Sequence, residues 1–378
     1  MNKAWRLPWQ GEMVPHAVLD VLRECNISCR ACYNIGRPEA PKTLDQVRAE
    51  LEALLKLRRL SSVSILGGEV MLHPQLLEIV RMVRGKGLYV ELITNGLAVQ
   101  PATCRQLKDA GLNVIYFHIE RGQKRADLPD AQAIADLTRL RLEKAVMAGG
   151  EGLDVGLTVT AYPGELDDVQ EVIALALKTP EINYALVTLY RDNSGITSLR
   201  GNILDGFSGS GAPQEKTTSQ DNRFFAEWMK QQFGVEPFAF MGSSLDADDP
   251  RWLSYLIGAI HEADGTFFYE HVAPSLLEKV SMMLYRLGGR YPMYIPQNPD
   301  RFRKQLSLNG LLGGRRRSNL ELVRRAKVPG ARFTTKRLLF QNPAELTVDG
   351  RLIHCEWCPD AVLKGGTLVP VCIADRVS

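Results

Sequence analysis

The sequence predicts a protein of the α/β class with a parallel sheet. From His16 to about Arg191, short apolar runs alternate with amphipathic segments, which is the pattern of repeated strand–helix–strand units. Six apolar runs occur with helical segments between them, fewer than the eight strands of a closed (β/α)8 barrel. The 378 residues are 45% hydrophobic and 24% charged, which indicates a folded globular chain and excludes a disordered or fibrous one.

Local signals support the elements of this series one by one. Thr43 with Gln46 three residues later forms a capping box, which predicts the start of a helix. Pro74 opens the next helix, and Gly85 and Gly87 end it. The predicted elements are strand 17–22, helix 43–55, strand 62–66, helix 74–83, strand 88–93, helix 101–110, strand 113–119, helix 131–148, strand 154–161, helix 165–178 and strand 182–190.

The alternating pattern stops near residue 192. We therefore expect a core domain over 1–200, a linker or mobile loop rich in Gly, Ser and Thr over 201–220, and a C-terminal substrate or auxiliary-metal region of mixed α and β structure over 221–378. The predicted elements of that last region are helices 221–233 and 274–287, a hairpin over 252–271, and short strands over 333–373.

Three cysteines stand directly after the first strand: Cys25, Cys29 and Cys32, in a C-x3-C-x2-C cluster. Soft thiolate ligands favour iron–sulfur clusters, zinc or copper(I), and three of them hold a [4Fe–4S] cube with one iron left open. A c-type haem would need His where Tyr33 stands, and a closed zinc site would need a fourth ligand. Buried structural thiols without a metal are the alternative.

This cysteine loop and two later motifs resemble the radical SAM superfamily over about residues 16–200. Gly67-Gly68-Glu69 after the second strand is similar to the GGE motif of that family, with Val70 at the usual proline position. Thr94-Asn95-Gly96 at the end of the third strand also fits the family pattern. The resemblance implies a six-stranded partial (β/α) barrel, which agrees with the six strands predicted independently.

The resemblance also implies a chemistry. A [4Fe–4S] cluster on the three cysteines would cleave S-adenosylmethionine reductively to a 5′-deoxyadenosyl radical, which abstracts hydrogen from an unactivated C–H bond. Gly67, Gly68 and Glu69 would hold the methionyl group of S-adenosylmethionine. The electron would come from a low-potential donor such as a flavodoxin or ferredoxin. The reaction subclass, oxidoreductase or transferase, and the catalytic residues stay open.

Further polar residues lie at strand ends, where barrel active sites form. They are candidates to contact the cofactor or the substrate, and polar groups that merely complete the barrel rim are the alternative. These candidates are Thr94, Asn95, His118, Glu120 and Arg191.

A second cysteine group lies near the C-terminus: Cys355, Cys358 and Cys372. Its Cys-Pro-Asp and Val-Pro-Val-Cys elements resemble those of a radical SAM lineage that includes pterin methylases and lipid-coupling enzymes. Three interpretations stay open: an auxiliary iron–sulfur cluster, a Cys3His zinc site that uses His354, and thiols without a metal. The remaining cysteine, Cys104, lies in a helical segment, and we expect it to be a buried apolar residue.

Charge is concentrated between residues 301 and 337. This segment has twelve basic residues and one acid, Glu321, so that its net charge is +11 against +3 for the whole chain. We expect an anionic partner: a phosphorylated or lipid-like substrate, an acidic lipid surface, a nucleic acid or an acidic electron donor. A solvated helical face is the alternative. A zinc-stabilised nucleic-acid-binding or RNA-modifying protein is therefore the second functional hypothesis.

Localisation follows from what the sequence lacks. No run of 18 apolar residues could span a bilayer, and the N-terminus has no apolar signal-peptide core. Seven cysteines are too few for a disulfide scaffold of this length. We therefore expect a reduced, cytoplasmic protein that acts on a small-molecule or lipid-like substrate.

Overall fold

The computed structural model describes residues 4–34, 39–128, 133–192, 195–200, 208–211, 220–288 and 299–376. The strands in chain order are β1 (Trp5–Arg6), β2 (His16–Asp20), β3 (Ser62–Leu66), β4 (Tyr89–Thr94), β5 (Val114–His118), β6 (Asp154–Ala161), β7 (Ile182–Leu189), β8 (Ile196–Arg200), β9 (Ser208–Gly211), β10 (Ala239–Met241), β11 (Trp252–His261), β12 (Phe267–His271), β13 (Arg332–Gln341), β14 (Glu345–Leu346), β15 (Leu352–Ile353), β16 (Ala361–Lys364) and β17 (Thr367–Pro370). The helices are α1 (Leu44–Leu57), α2 (Leu76–Gly85), α3 (Pro101–Ala110), α4 (Ile134–Gly150), α5 (Leu166–Lys178), α6 (Asn222–Phe233), α7 (Leu276–Arg286), α8 (Pro299–Leu311) and α9 (Arg316–Arg325).

One large sheet organises the molecule. Strands β2 to β7 lie side by side in chain order and are all parallel, with helices on the connections between them. This confirms the predicted α/β class and the six parallel strands, and among the described strands the sheet does not close into a complete barrel. The order across the sheet is β1-β10-β11-β13-β7-β6-β5-β4-β3-β2, with β12 paired to β11.

The helices form where the sequence predicts them. At α1, the Thr43 hydroxyl accepts a hydrogen bond from Gln46 N at 3.3 Å, and Gln46 Oε1 accepts one from Thr43 N at 2.8 Å. This reciprocal capping box satisfies two backbone donors at the helix start. The inner face of α1 buries Val47, Leu51 and Leu54 in the main core, so burial of that face on the sheet holds the helix in place.

Inside the curved sheet, the side chains of Tyr89, Tyr116 and Tyr184 lie close to one another. A Cβ on Gly156 of β6 would stand 2.1 Å from Cδ1 of Tyr116 on β5, so the tyrosine ring occupies the place of the missing side chain. The rings of Tyr116 and Tyr184 lie 5.6 Å apart. Tyr89 donates a hydrogen bond to Asp154 at 3.0 Å, which satisfies its buried hydroxyl.

The C-terminal half extends the same sheet. Strand β13 pairs parallel to β7, with Arg337 opposite Tyr184 and Gln341 opposite Thr188. Buried Lys336 donates to the carbonyl oxygens of Thr179 at 2.6 Å and Ile182 at 2.7 Å. Burial lowers the pKa of Lys336 to about 7, since an apolar environment disfavours the ammonium form.

The predicted linker coincides in part with structured backbone. Ser208–Gly211 pairs antiparallel with Ile196–Arg200, and the rest of the segment up to residue 219 lies outside the described residues. The division of the chain near residue 200 stays a prediction.

The basic segment folds into α8, α9 and the first part of β13, and much of its charge is neutralised there. Five arginines in it form ion pairs with carboxylates, four of them with acids outside the segment, and Lys336 is buried, so the segment presents less free charge than its net +11 indicates. The five pairs are Arg303–Asp300, Arg315–Glu270, Arg324–Glu321, Arg325–Glu262 and Arg332–Glu181. Among the described residues, no helix combines the length and the apolarity needed to cross a bilayer.

We predict that Gly156→Ala lowers the free energy of unfolding by about 1–3 kcal/mol, because the new methyl group overlaps the Tyr116 ring and forces it to move. Urea denaturation monitored by circular dichroism measures this loss. The control is Gly150→Ala at the end of α4, where a Cβ meets nothing within 4 Å. Equal unfolding midpoints for the two variants would contradict the assigned packing.

Candidate functional site

The three cysteines of the first motif lie on the loop that follows β2. Cys25 and Cys32 are exposed, Cys29 is half-buried, and all three are free thiols. The base of the loop is held together by Asn34, which donates from Nδ2 to the Arg23 carbonyl oxygen at 2.7 Å. The loop therefore presents its thiols beyond the C-terminal ends of the parallel strands, as the sequence predicts.

Gly67 and Gly68 lie directly against the backbone of this loop. Gly68 N donates to Leu22 O at 2.8 Å, and Glu69 N donates to Glu24 O at 2.7 Å. A Cβ on Gly67 would stand 2.3 Å from Leu22 O, and one on Gly68 would stand 2.0 Å from Glu24 O. Because both obstacles are backbone atoms, only glycine allows this approach.

Glu69 connects the ends of β3 and β4. Its carboxylate accepts hydrogen bonds from the Thr94 hydroxyl at 2.6 Å, Asn95 N at 2.7 Å and Met71 N at 2.9 Å. The side chain of Asn95 donates in turn to Asn26 Oδ1 in the cysteine loop at 2.7 Å. The structure thus joins the three predicted motifs in one hydrogen-bond network.

Glu69 is fully buried. Burial raises its pKa, and the three donated hydrogen bonds counteract part of that effect. In this structure the carboxylate holds the end of β4 through Thr94 and Asn95. Its contact with the amino group of S-adenosylmethionine stays a prediction.

His118 and Glu120 lie together at the end of β5. His118 Nε2 is 3.1 Å from Glu120 Oε2, and Glu120 also accepts hydrogen bonds from Thr160 N at 2.7 Å and the Tyr162 hydroxyl at 3.2 Å. Burial opposes the charged form of Glu120, but the His118 imidazole and the hydrogen bond from Thr160 outweigh it and lower the pKa of Glu120. Of the two, His118 keeps partial exposure and is the one that a bound molecule can reach.

Sequence reasoning missed the loop that follows Glu120. Gln123 donates from Nε2 to the sulfur of Cys29 at 3.5 Å, and Lys124 N donates to Ser28 O at 3.0 Å. The available signal was the dense polar run over 120–127, directly after a strand end, which is where barrel sites form.

The opposite side of the cysteine loop is fixed by Arg30. Its guanidinium lies 3.6 Å from the centre of the Tyr162 ring and pairs with Glu165 at 2.9 Å. Stacking and ion pairing together position this arginine beyond the end of β6. The loop is therefore held from both sides, whereas its two outer thiols stay exposed.

The donor set suits a [4Fe–4S] cluster. Burial raises the pKa of Cys29 to about 12, and the neighbouring Glu120, Cys32 and Cys25 act in the same direction. The positive charge of bound iron would offset this effect and deprotonate them. Among the described residues, no three His, Cys, Asp or Glu side chains already stand at metal-binding distances, so cluster binding requires the three thiols to move closer together.

Arg191 is held differently from the other predicted cofactor residues. Its Nε lies 3.1 Å from Glu345, which also pairs with Arg251 at 2.7 Å, and its Nη2 donates to Gln220 O at 2.8 Å. The structure thus places Arg191 in a buried ion-pair network with the C-terminal region and not in the Glu69 network. Its role in cofactor binding stays a prediction.

The second cysteine group is largely buried. Cys355 and Cys358 lie in the core, with a hydrogen bond between their thiols, and Cys372 accepts from Ala344 N at 3.4 Å. Burial raises the pKa of Cys372 to about 12, with a further contribution from Cys355. His354 Nδ1 lies 2.8 Å from the Cys355 carbonyl oxygen, so this ring nitrogen is engaged by the backbone.

Two arginines attach this C-terminal segment to the first part of the sheet. Arg58 donates to Cys358 O at 2.8 Å, and Arg23 pairs with Asp375 at 2.5 Å and with Asp20 at 3.2 Å. Tyr33, directly after the first cysteine motif, is desolvated, which raises its pKa, and Cys372 contributes to that shift. Cys372 of the second group therefore lies in the electrostatic environment of Tyr33, whereas Cys358 shares Arg58 with His16 at the start of β2.

Comparison with known families agrees with this geometry. The family model of the radical SAM superfamily matches residues 19–176, which include the cysteine loop and both later motifs. These residues are therefore similar to the radical SAM domain, which defines an enzyme class that uses a [4Fe–4S] cluster and S-adenosylmethionine.

Curated relatives are similar over part of the chain. The PqqA peptide cyclase of Methylorubrum populi is 28% identical over 192 residues, which cover 47% of this chain and 47% of that protein. The PqqA peptide cyclase of Xanthomonas axonopodis pv. citri is 30% identical over 173 residues, or 43% and 44% of the two chains. The chain thus spans about half the length of the curated relatives it matches.

Solved structures show a similarity of partial extent. SuiB of Streptococcus suis bound to the precursor peptide SuiA has a TM-score of 0.42 at 12% identity, covering 58% of this chain and 47% of that one. Native anSMEcpe with bound AdoMet has a TM-score of 0.39 at 14% identity, covering 58% of each chain.

We predict that Gly68→Ala lowers the iron and sulfide content of the anaerobically reconstituted protein, because its Cβ would displace the cysteine loop at Glu24. Overpacking of this kind costs about 1–3 kcal/mol. The matched control is Gly85→Ala at the end of α2, where a Cβ meets nothing within 4 Å. Iron contents that are the same in both variants would show that the glycine contact does not shape the cysteine loop.

Proposed function

We propose that the protein is a radical SAM enzyme in which Cys25, Cys29 and Cys32 ligate the catalytic [4Fe–4S] cluster. The observation that carries the proposal is the single hydrogen-bond network that joins the cysteine loop, Glu69 and Asn95. When bound, the cluster and S-adenosylmethionine supply a 5′-deoxyadenosyl radical that abstracts hydrogen from a C–H bond.

Residues of the chain itself hold the cysteine loop and the strand ends in place at the site. Gly67 and Gly68 let the end of β3 approach the cysteine loop, and Glu69 fixes Thr94 and Asn95 through hydrogen bonds. Preformed polar groups of this kind hold a cofactor without further reorganisation. The partly exposed His118 is the group at the rim that would contact the cofactor or substrate, with Glu120 orienting its imidazole at 3.1 Å.

The substrate we propose is an amino acid or a peptide. The relatives named as PqqA peptide cyclases favour this class over the lipid-like substrate expected from the sequence. The ion pairs of the basic segment weaken the support for a nucleic-acid partner, so we do not retain that second hypothesis. A low-potential flavodoxin or ferredoxin as electron donor remains part of the proposal.

Anaerobic reconstitution tests the proposed function. We expect the brown reconstituted protein to release 5′-deoxyadenosine from S-adenosylmethionine under dithionite, and Cys29→Ala to abolish that release together with the cluster iron, because the cube loses one of its ligands. Chromatography of the nucleoside products and iron analysis provide the two measurements.

Cys104→Ala is the matched control, since Cys104 lies buried on α3, away from both cysteine groups. It should retain the cluster and the cleavage activity. Stoichiometric zinc with no brown chromophore in the reconstituted protein would refute the proposed function.

We further propose that Cys355, Cys358 and Cys372 bind an auxiliary metal. The contact between the first two thiols and the charge coupling of Cys358 to Cys372 support a shared site. Soft thiolates suit an iron–sulfur cluster, and zinc is the alternative if His354 contributes its other nitrogen.

We predict that the double variant Cys355→Ala/Cys358→Ala loses the iron of an auxiliary cluster while the catalytic cluster remains, because the two groups are on separate segments. Metal analysis for iron and zinc, with Cys104→Ala as control, gives the outcome. If only zinc is lost, the second cysteine group binds zinc and not an iron–sulfur cluster. If the contents of iron and zinc are both unchanged, the proposal of an auxiliary metal is wrong.

A further inference from the structure

A cavity of about 280 Å³ lies inside the curved sheet. Its wall includes Leu66 and Ile93, which directly precede Gly67 and Thr94 of the proposed cofactor site. One residue of strand spans about 3.3 Å. The cavity therefore begins within one or two residues of the proposed cofactor site and extends toward the N-terminal ends of the strands.

Two opposite charges face this cavity without pairing with each other. Glu91 on β4 accepts a hydrogen bond from the Ser64 hydroxyl at 3.3 Å, and no described residue forms an ion pair with it. The Arg337 guanidinium on β13 lies 6.0 Å from the centre of the Tyr184 ring and likewise has no carboxylate of a described residue within ion-pair distance. Burial raises the pKa of Glu91 to about 7, and Arg337 counteracts part of that rise.

Two other ionisable groups on the wall, His16 and Asp360, already have partners. His16 Nδ1 lies 2.7 Å from the Ser62 hydroxyl, and Asp360 accepts a hydrogen bond from Gln341 at 2.5 Å. Burial and the nearby Arg58 lower the pKa of His16 to about 3, so His16 adds no charge. Glu91 and Arg337 are thus the charged groups that a ligand would satisfy.

The rest of the wall is largely apolar, and the rings of Trp5, Tyr116, Tyr184 and Trp252 are among the lining residues. Rings of this kind favour a flat apolar group. The volume is nearly twice the roughly 150 Å³ of an engineered apolar cavity that holds benzene. There is room for one aromatic ring together with a short polar group.

We propose that this cavity binds an α-amino acid unit with an aromatic side chain, whose ammonium group pairs with Glu91 and whose carboxylate pairs with Arg337. An enclosed charge without a partner costs free energy, which a ligand of opposite charge recovers. That the bound amino acid is the substrate rests on the proposed function. Its binding in the cavity does not, since binding requires no radical chemistry.

Equilibrium dialysis of the anaerobically reconstituted full chain with radiolabelled L-phenylalanine tests the proposal. 2-Phenylethylamine lacks the carboxylate, and 3-phenylpropionate lacks the amine. Each charge-assisted contact is strong in an enclosed site, so we expect both analogues to compete at least about 10-fold more weakly than unlabelled L-phenylalanine.

Single substitutions at Glu91 and Arg337 test which charged group of the ligand each residue contacts. Glu91→Gln should weaken L-phenylalanine binding at least about 10-fold and leave 3-phenylpropionate unaffected, and Arg337→Met should weaken L-phenylalanine and leave 2-phenylethylamine unaffected. The matched controls are Glu52→Gln and Arg105→Met on the outer helices, which should bind as the parent chain does. Circular dichroism identifies any variant that fails to fold. In that case Tyr116→Phe, which removes only a hydroxyl group from the cavity wall, is the milder replacement.

The outcomes separate this inference from the proposed function. A protein that cleaves S-adenosylmethionine but binds no L-phenylalanine, or binds it equally in all variants, would overturn the inference and leave the radical SAM assignment intact. Selective binding by a protein that releases no 5′-deoxyadenosine would support the cavity assignment and count against the proposed function.

Discussion

The contact between the Gly67-Gly68 pair and the backbone of the cysteine loop is the constraint on which the site depends. Carbonyl oxygens of Leu22 and Glu24 stand where any side chain on these residues would lie. This closeness lets Glu69 enter the interior and reach Thr94 and Asn95. The steric requirement for glycine at these two positions therefore sets where the cysteine loop, the strand ends and the hydrogen bonds of Glu69 lie relative to one another.

The sequence predicted the parallel core closely, because its strands are buried on both faces and read as continuous apolar runs. Strand Asp154–Ala161 and helix Pro101–Ala110 have the predicted bounds. The C-terminal strands were predicted as separate short elements, whereas Arg332–Gln341 is a ten-residue strand beside β7. Pairing across about 150 residues of chain leaves no local signal from which it could be predicted.

The site shows the same division between local and long-range information. The three motifs were visible because each has a fixed spacing after a strand, but the contacts of Gln123 and Arg30 depend on how loops meet in space. A charge count along the segment also leaves out Glu181, Glu262 and Glu270, which lie outside it in sequence and form ion pairs with it in the fold. Net charge along a segment does not measure exposed charge.

The position of β13 beside β7 has a consequence for how the chain acquires its structure during synthesis. Strands β2 to β7 are complete by residue 189, but the neighbour of β7 begins at Arg332. Until that strand emerges from the ribosome, β7 offers a row of unpaired backbone groups, which invites association with other chains. The nascent protein thus carries an open sheet edge for more than a third of its translation, and that interval is when assistance from a chaperone would matter most.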